Sequence, residues 1–334
     1  MDEVKKILND IKAKKIAPIY FLMGEEAYNI DLISEYIEQN LLTEEEKGFN
    51  QQLLYGLDVS IDQIVGSAKR YPMMAERQVL IVKEAQHLSR TIEQLTAYAE
   101  NPQPTTVLVV CYKYKTIDKR KKLYKTLKKT GIVFESKRLY DNQIPTWIKN
   151  TLSGKGYSIS PKATQMLVEY LGTDLGKINN ELEKLQLICK PETPITPELI
   201  EENIGISKDF NNFELRKAVG EQNVEKAHRI VNYFGQNPKD NPMVVTIGLL
   251  FGFYSQVLQF HSLADKSKGN VASTLKINPY FVGDYVTAAK NIPMKKASRN
   301  IALLREADMK SKGVGAVSIP QGDLLKELLV KIMN

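Results

Sequence analysis

Short apolar, β-branched runs alternate with helix-spaced segments over the first 140 residues of this chain, and then the runs stop. That switch restricts the fold more than any other feature. Residues 16–23 (IAPIYFLM), 79–82 (VLIV) and 106–110 (TVLVV) are continuously apolar. Strands of a parallel sheet read this way when helices cover both faces. Residues 49–55 and 132–134 give two further strand candidates. Between the strands, residues 25–42 place Ile30, Ile33, Ile37 and Leu41 at helical spacing. Residues 60–70 put Ile61, Ile64, Val65 and Ala68 on one stripe behind a Ser60 cap. Such alternation predicts a mostly parallel sheet wrapped by helices.

Beyond residue 140 only helical patterns remain. Residues 144–152 are helical, Ser160-Pro161 opens a helix that ends at Gly172, and Thr173 or Asp174 opens the next, to about residue 188. Thr196-Pro197 starts another by the same logic. Segments 211–220, 223–234, 242–264, 295–310 and 320–332 each carry helical periodicity, with breaker stretches at 235–238 and 266–270. The expected class is α/β plus all-α. Its domains are an α/β domain over 1–140, a small helical domain over 141–207 and a second helical domain over 208–334.

With 43% hydrophobic and 25% charged residues the chain can build packed cores, which excludes general disorder. No apolar run is expected to reach the roughly 20 residues of a membrane span. The charged start, MDEVKKILND, is unlike a secretory signal. Cys111 and Cys189 are too few for a disulfide scaffold or a four-thiolate zinc site, and both read as small buried hydrophobes. A cytoplasmic location is the expectation.

An α/β domain whose first strand ends in Gly24 invites a test for a nucleotide site. A phosphate loop needs backbone N–H groups around the phosphates, a Lys on the terminal ones and a hydroxyl for magnesium. Residues 23–31 (MGEEAYNID) hold one Gly, no Lys and the adjacent carboxylates Glu25 and Glu26. Negative charge there opposes a polyphosphate. The third strand runs into Lys83 and Glu84, with Lys83 where a magnesium-binding Asp would stand. His87, His228 and His261 have no metal-ligand spacing, and no nucleophile elbow or Cys/His pairing occurs. No catalytic residue, metal or cofactor is expected.

Two segments suit recognition. The connection from residue 70 to 78 carries Tyr71, Pro72, Met73 and Met74 between charged neighbours. Connections lie at the surface, and Met with an aromatic can fill a partner's apolar pocket. The same side chains can also cover the edge of their own domain's core, and the residues alone leave both readings open. The second segment is basic. The net charge is +7, and residues 107–138 concentrate eleven basic side chains against Asp118 and Glu135. Lys119, Arg120, Lys121, Lys122 and Lys125 fall on an expected helix over 118–129. They can track phosphates, meet an acidic partner or form a solvated face.

Three groups of residues together resemble one family. The first is Pro18-Ile19-Tyr20-Phe21-Leu22-Met23-Gly24-Glu25-Glu26, then Phe49-Asn50, then the run from Met73 through Ala85 (MMAERQVLIVKEA). The second is the run from Gly172 to Leu185 (GTDLGKINNELEKL). The third comprises Phe213-Glu214-Leu215, Ala218-Val219-Gly220 and Glu306-Ala307-Asp308-Met309-Lys310. In this order they resemble the delta subunit of the bacterial DNA polymerase III clamp loader, over essentially the whole chain. The resemblance implies an AAA+-like N-terminal parallel-sheet domain without a phosphate loop, a helical lid domain and a helical collar that joins subunits into a ring. It implies a non-catalytic part of a DNA-directed DNA polymerase holoenzyme that binds and opens the sliding clamp (beta subunit). Further partners would be gamma/tau and delta prime through the C-terminal domain, and primed DNA in the assembled complex, with no membrane. The family's clamp-binding element is an apolar pair at the end of a helix before an Ala-x-Arg-Gln segment. It maps onto Met73 and Met74, with Tyr71 and Pro72 just upstream. The usual pair is Leu-Phe; Met-Met keeps the bulk and lacks the ring. The competing functions are an ATP-binding motor subunit of such a loader and a free-standing DNA-binding protein.

Overall fold

The computed structural model describes residues 2–205, 207, 209–315 and 319–334. It contains two compact units, Met1–Leu139 and Tyr140–Asn334.

The first unit is built on a five-stranded, all-parallel sheet of order β2-β3-β4-β1-β5. Its strands are β1 (Ile19–Gly24), β2 (Gln51–Tyr55), β3 (Gln78–Lys83), β4 (Thr106–Lys113) and β5 (Ile132–Ser136). Its helices are α1 (Asp2–Lys12), α2 (Ala27–Asn40), α3 (Glu44–Asn50), α4 (Ile61–Ala68), α5 (Thr96–Glu100) and α6 (Lys122–Thr130). On one sheet face Ile19, Phe21, Leu80, Val82, Leu108 and Val110 pack with Ile61 and Ile64 of α4 and with Leu123 and Leu127 of α6. On the other, Tyr20, Leu22, Val79, Ile81, Val107 and Val109 pack with α1 and with Ile30, Ile33 and Ile37 of α2. Burial on both faces is why the central strands are apolar without alternation. β2 lies at the sheet edge and is half exposed, which is why its sequence is mixed.

Two expectations shift in this unit. The second strand begins at Gln51, because the Thr43–Glu46 capping box starts a helix that carries Phe49 and Asn50. The basic helix begins at Lys122. Lys119, Arg120 and Lys121 lie in the turn before it, where the Asp118 carboxylate accepts from the Arg120 N–H at 2.9 Å. The stretch after β3, unread in the sequence, forms two 3₁₀ turns, Ala85–Leu88 and Ile92–Leu95, leading into α5.

Among its described residues the second unit is helical, apart from one parallel bridge between Ile159 and Ile195. Its elements are α7 (Ile144–Ser153), α8 (Pro161–Leu171), α9 (Leu175–Ile188), α10 (Pro197–Ile204), α11 (Asn212–Gly220), α12 (Val224–Gln236), α13 (Met243–Ser262), α14 (Lys268–Leu275), α15 (Val282–Asn291), α16 (Met294–Ser311) and α17 (Gln321–Met333). Ser160 and Asp174 cap α8 and α9 as expected. Thr196 takes the cap position of α10, but its side chain makes no capping bond. α14 overlaps the expected breaker 266–270: the Asp265 carboxylate accepts from the Ser267 N–H and hydroxyl, and that turn launches the helix. α15 had no sequence reading. α8 and α11 are tied by ion pairs, Lys162 to Glu214 at 2.6 Å and Arg216 to Glu169 at 3.4 Å. α12 and α17 cross where Gly235 meets Gly322; a Cβ on Gly322 would lie 2.9 Å from the Gly235 Cα.

α13 corrects the expectation about apolar runs. It is 20 residues long and apolar enough to cross a membrane by length and composition. Met243, Thr246, Ile247, Leu250, Phe253, Tyr254, Val257 and Phe260 are buried in the core of the helical unit, so one face of this helix serves packing, while Val244, Val245 and Phe251 are exposed. Cys111 is buried as expected, whereas Cys189 at the end of α9 is only partly so.

Candidate protein-docking site

The connection between α4 and β3 is held at both ends and bare in the middle. α4 starts at the Ser60–Gln63 capping box and buries Ile61, Ile64 and Ala68. At its C-terminus the carbonyls left without helical partners are collected by side chains. Gln78 Nε2 donates to the Arg70 carbonyl at 2.7 Å, and Thr106 Oγ1 donates to the Ala68 carbonyl at 2.7 Å. Gln78 Nε2 also donates to Thr106 Oγ1 at 2.8 Å. The first residue of β3 therefore anchors the end of the preceding helix.

Beyond that anchor the chain leaves helical structure, so the apolar pair sits in an irregular loop past the helix. Pro72 fixes its own φ and blocks continuation of the helix. Tyr71 is 76% exposed, Met73 62% and Met74 fully exposed. These values discard the reading in which the three side chains cover their own domain's core. Exposed large apolar side chains that cluster make a candidate docking surface. Met74 has φ +54°, a left-handed conformation uncommon for a long side chain. Asn50, at the end of α3, hydrogen bonds to the backbone of Met73 on both sides. Phe49, next to it in the chain, is 76% exposed. The sequence hid the Asn50 contact, because it spans 23 positions.

The basic segment lies apart from this loop in its contacts. Lys119 pairs with Glu135 at 2.6 Å, Arg120 with Asp118 at 2.9 Å, Lys121 with Glu93 at 3.5 Å and Lys122 with Glu100 at 2.6 Å. The Arg120 guanidinium, hydrogen bonded to Asp118, lowers that carboxyl to about 2. Lys125 sits exposed on α6. The four paired cations carry local counter-charges that the sequence count of Asp118 and Glu135 alone understated.

Open parallel sheets bind ligands beyond the carboxyl ends of their strands. Here several backbone N–H groups past β1 are paired within the protein. The Gly24 N–H donates to the Lys115 carbonyl at 3.0 Å and the Glu26 N–H to the Ser136 carbonyl at 3.2 Å. The Glu26 carboxylate accepts from the Tyr28 N–H at 3.1 Å, so the N-terminus of α2 carries its own anion. Lys113 bridges Asp31 at 2.8 Å and Glu84 at 3.0 Å. Burial opposes its charge, but the hydrogen bonds its ammonium donates to the two carboxylates outweigh burial and hold its pKa above the ordinary lysine value. Among the described residues there is no metal-ligating cluster. His261 Nε2 lies 2.8 Å from the Ile292 carbonyl, a structural contact between helices.

Residues 20–137 match the family described as DNA polymerase III, delta subunit, and residues 209–318 match the DNA polymerase III delta subunit, C-terminal domain. The DNA polymerase III subunit delta of Bacillus subtilis (strain 168) is 27% identical over 288 residues, covering 83% of this chain and 82% of that protein. The solved structure of the Bacillus subtilis DNA clamp loader delta protein, 23% identical, superposes with a TM-score of 0.56 over 99% of both chains, which shows a shared fold. The expected α/β-plus-helical architecture and the order of the resembling segments thus meet in one assignment: this chain belongs to the DNA polymerase III delta subunit family.

Proposed function

We propose that this chain is a non-catalytic clamp-loader subunit that docks the loop of residues 71–74 into a sliding clamp and helps open that ring for loading onto primed DNA. The observation that carries the reading is the bare apolar tip formed by Tyr71, Met73 and Met74, fixed at its base by Asn50 and Gln78. An apolar side chain that enters a pocket contributes roughly 1.5–3 kcal/mol when fully buried, and a few such anchors dominate most interfaces. Opening follows from differential affinity: a subunit that binds the opened clamp more tightly than the closed one shifts that equilibrium by the ratio of the two affinities.

In this reading residues 1–140 carry the clamp-binding element in an AAA+-like domain, 141–207 form a lid and 208–334 a collar that meets the gamma/tau and delta prime subunits. The basic residues Lys119, Arg120, Lys121, Lys122 and Lys125 meet primed DNA or a neighbouring subunit in the assembled, cytoplasmic loader. The occupied backbone donors at the β1–α2 turn support a role without nucleotide and speak against a motor subunit. The test is Met73→Asp combined with Met74→Asp. Both side chains are exposed, so the fold is expected to remain, by circular dichroism, while clamp binding is abolished in a calorimetric titration. Unchanged clamp affinity would remove the proposal.

A further inference from the structure

Met73 is exposed through its side chain, but its backbone is gripped. Asn50 ends α3 as one of the few buried polar residues, 5% exposed. Its Oδ1 accepts from the Met73 N–H at 2.6 Å, and its Nδ2 donates to the Met73 carbonyl at 2.9 Å and to the Glu46 carbonyl at 3.2 Å. One carboxamide thus satisfies both polar groups of a single loop residue, as a paired strand would. The bond to Glu46 ties that carboxamide to the last turn of α3, so the loop is indexed to a helix. The next residue, Met74, holds a left-handed φ. Such a conformation persists only where its surroundings over-determine it, and Asn50 acts on the residue immediately before.

We infer that Asn50 is the positioning residue of the docking tip. It orders the Met73 backbone before the partner arrives, so that binding is relieved of the ordering cost. This inference rests on the reading of residues 71–74 as the element that enters a sliding clamp. Asn50 touches the loop backbone from beneath, and its effect passes through Met73.

The experiment titrates purified sliding clamp against the full-length chain and its variants. Asn50→Ala is expected to weaken clamp affinity about tenfold, the factor that fixing the backbone of one residue is worth. Amide exchange at Met73 should rise, while the β3 amides stay protected. Asn50→Asp gives a sharper readout. Its carboxylate repels the Met73 carbonyl at neutral pH, whereas the protonated acid restores one donor and one acceptor toward the Met73 backbone, without the second donor to Glu46. Its clamp affinity is expected to recover toward that of the unmodified chain, measured at the same pH, as the solution is acidified. Asn50→Ala should show no such recovery. Should Asn50→Ala fail to fold, the pH series on Asn50→Asp decides alone. Binding within twofold of the unmodified chain for Asn50→Ala, or no acid recovery for Asn50→Asp, would overturn the positioning role while Met73→Asp with Met74→Asp still abolishes binding. If that double variant binds normally, the clamp-docking reading itself fails.

Discussion

Lys162 of α8 places its ammonium 2.6 Å from the carboxylate of Glu214 on α11, and Lys226 of α12 contacts the other oxygen of the same carboxylate. Glu214 is 5% exposed through its side chain. Burial alone would raise its pKa; the two lysine hydrogen bonds outweigh burial and leave it below the ordinary value of 4.5. A carboxylate with a depressed folded pKa contributes stability above its unfolded pKa and loses it as pH falls through the folded value. The helical unit should therefore lose stability on acidification from about pH 4.5 downward. Glu214→Gln is expected to cost about 2–4 kcal/mol at neutral pH, because two lysines are left without their counter-charge at a buried site, and to flatten that acid limb. Glu169 acts in the opposite sense: burial outweighs Arg216 and raises its pKa, so it favours the folded state more as it protonates. Fluorescence of Trp147, the single tryptophan, buried in α7, reports the unfolding of this unit.

Met74 separates stability from binding. A non-glycine residue in the left-handed region costs about 1–2 kcal/mol, and glycine's extra unfolded-state freedom returns about 0.5–1 kcal/mol of that. Met74→Gly should leave stability unchanged or raise it by up to about 1.5 kcal/mol, since its fully exposed side chain buries nothing in the free chain. The same variant should weaken clamp binding. Denaturant melts and clamp titration on one sample check both signs.

Lys113→Met would leave Asp31 and Glu84 facing each other without their shared cation. A loss of about 1–3 kcal/mol is expected, smaller at acid pH and in high salt, where protonation and screening relieve the repulsion. Neither the unmodified chain nor this variant should retain ATP in equilibrium dialysis. Retention by the unmodified chain would show that the β1–α2 turn still opens to phosphates.

Charge reversal at Lys119, Lys121 and Lys122 tests the basic segment in the assembled loader. Loading onto primed DNA should slow, and the slope of log affinity against log salt should fall by about one for each phosphate that the variant no longer neutralises. Unaltered loading with an unaltered slope would assign these cations to their observed partners Glu135, Glu93 and Glu100 alone.

The central strands were legible because two-sided burial writes itself into sequence as uninterrupted apolar residues, as at Phe21 and Val110. Helix starts were legible where a local cap exists, at Ser60, Ser160 and Asp174. Phe49 was misread because the Thr43 capping box lies six residues upstream and competes with a short strand-like run. α15 was missed because its buried face is small, with Ala288 and Ala289 beside Val282 and Tyr285. The loop at 71–74 was readable as an interaction candidate from residue type, while its exposure was not, since solvent access depends on what the rest of the chain leaves uncovered. The Asn50 grip is tertiary and has no local signature.

Where Gly235 and Gly322 meet, backbone lies against backbone with no side chain between. Rotamer changes, the usual cushion between helices, are missing at that spot. Rolling or sliding either helix would open a void or drive main-chain atoms together. A side chain at Gly322 would therefore force the two main chains apart at this crossing.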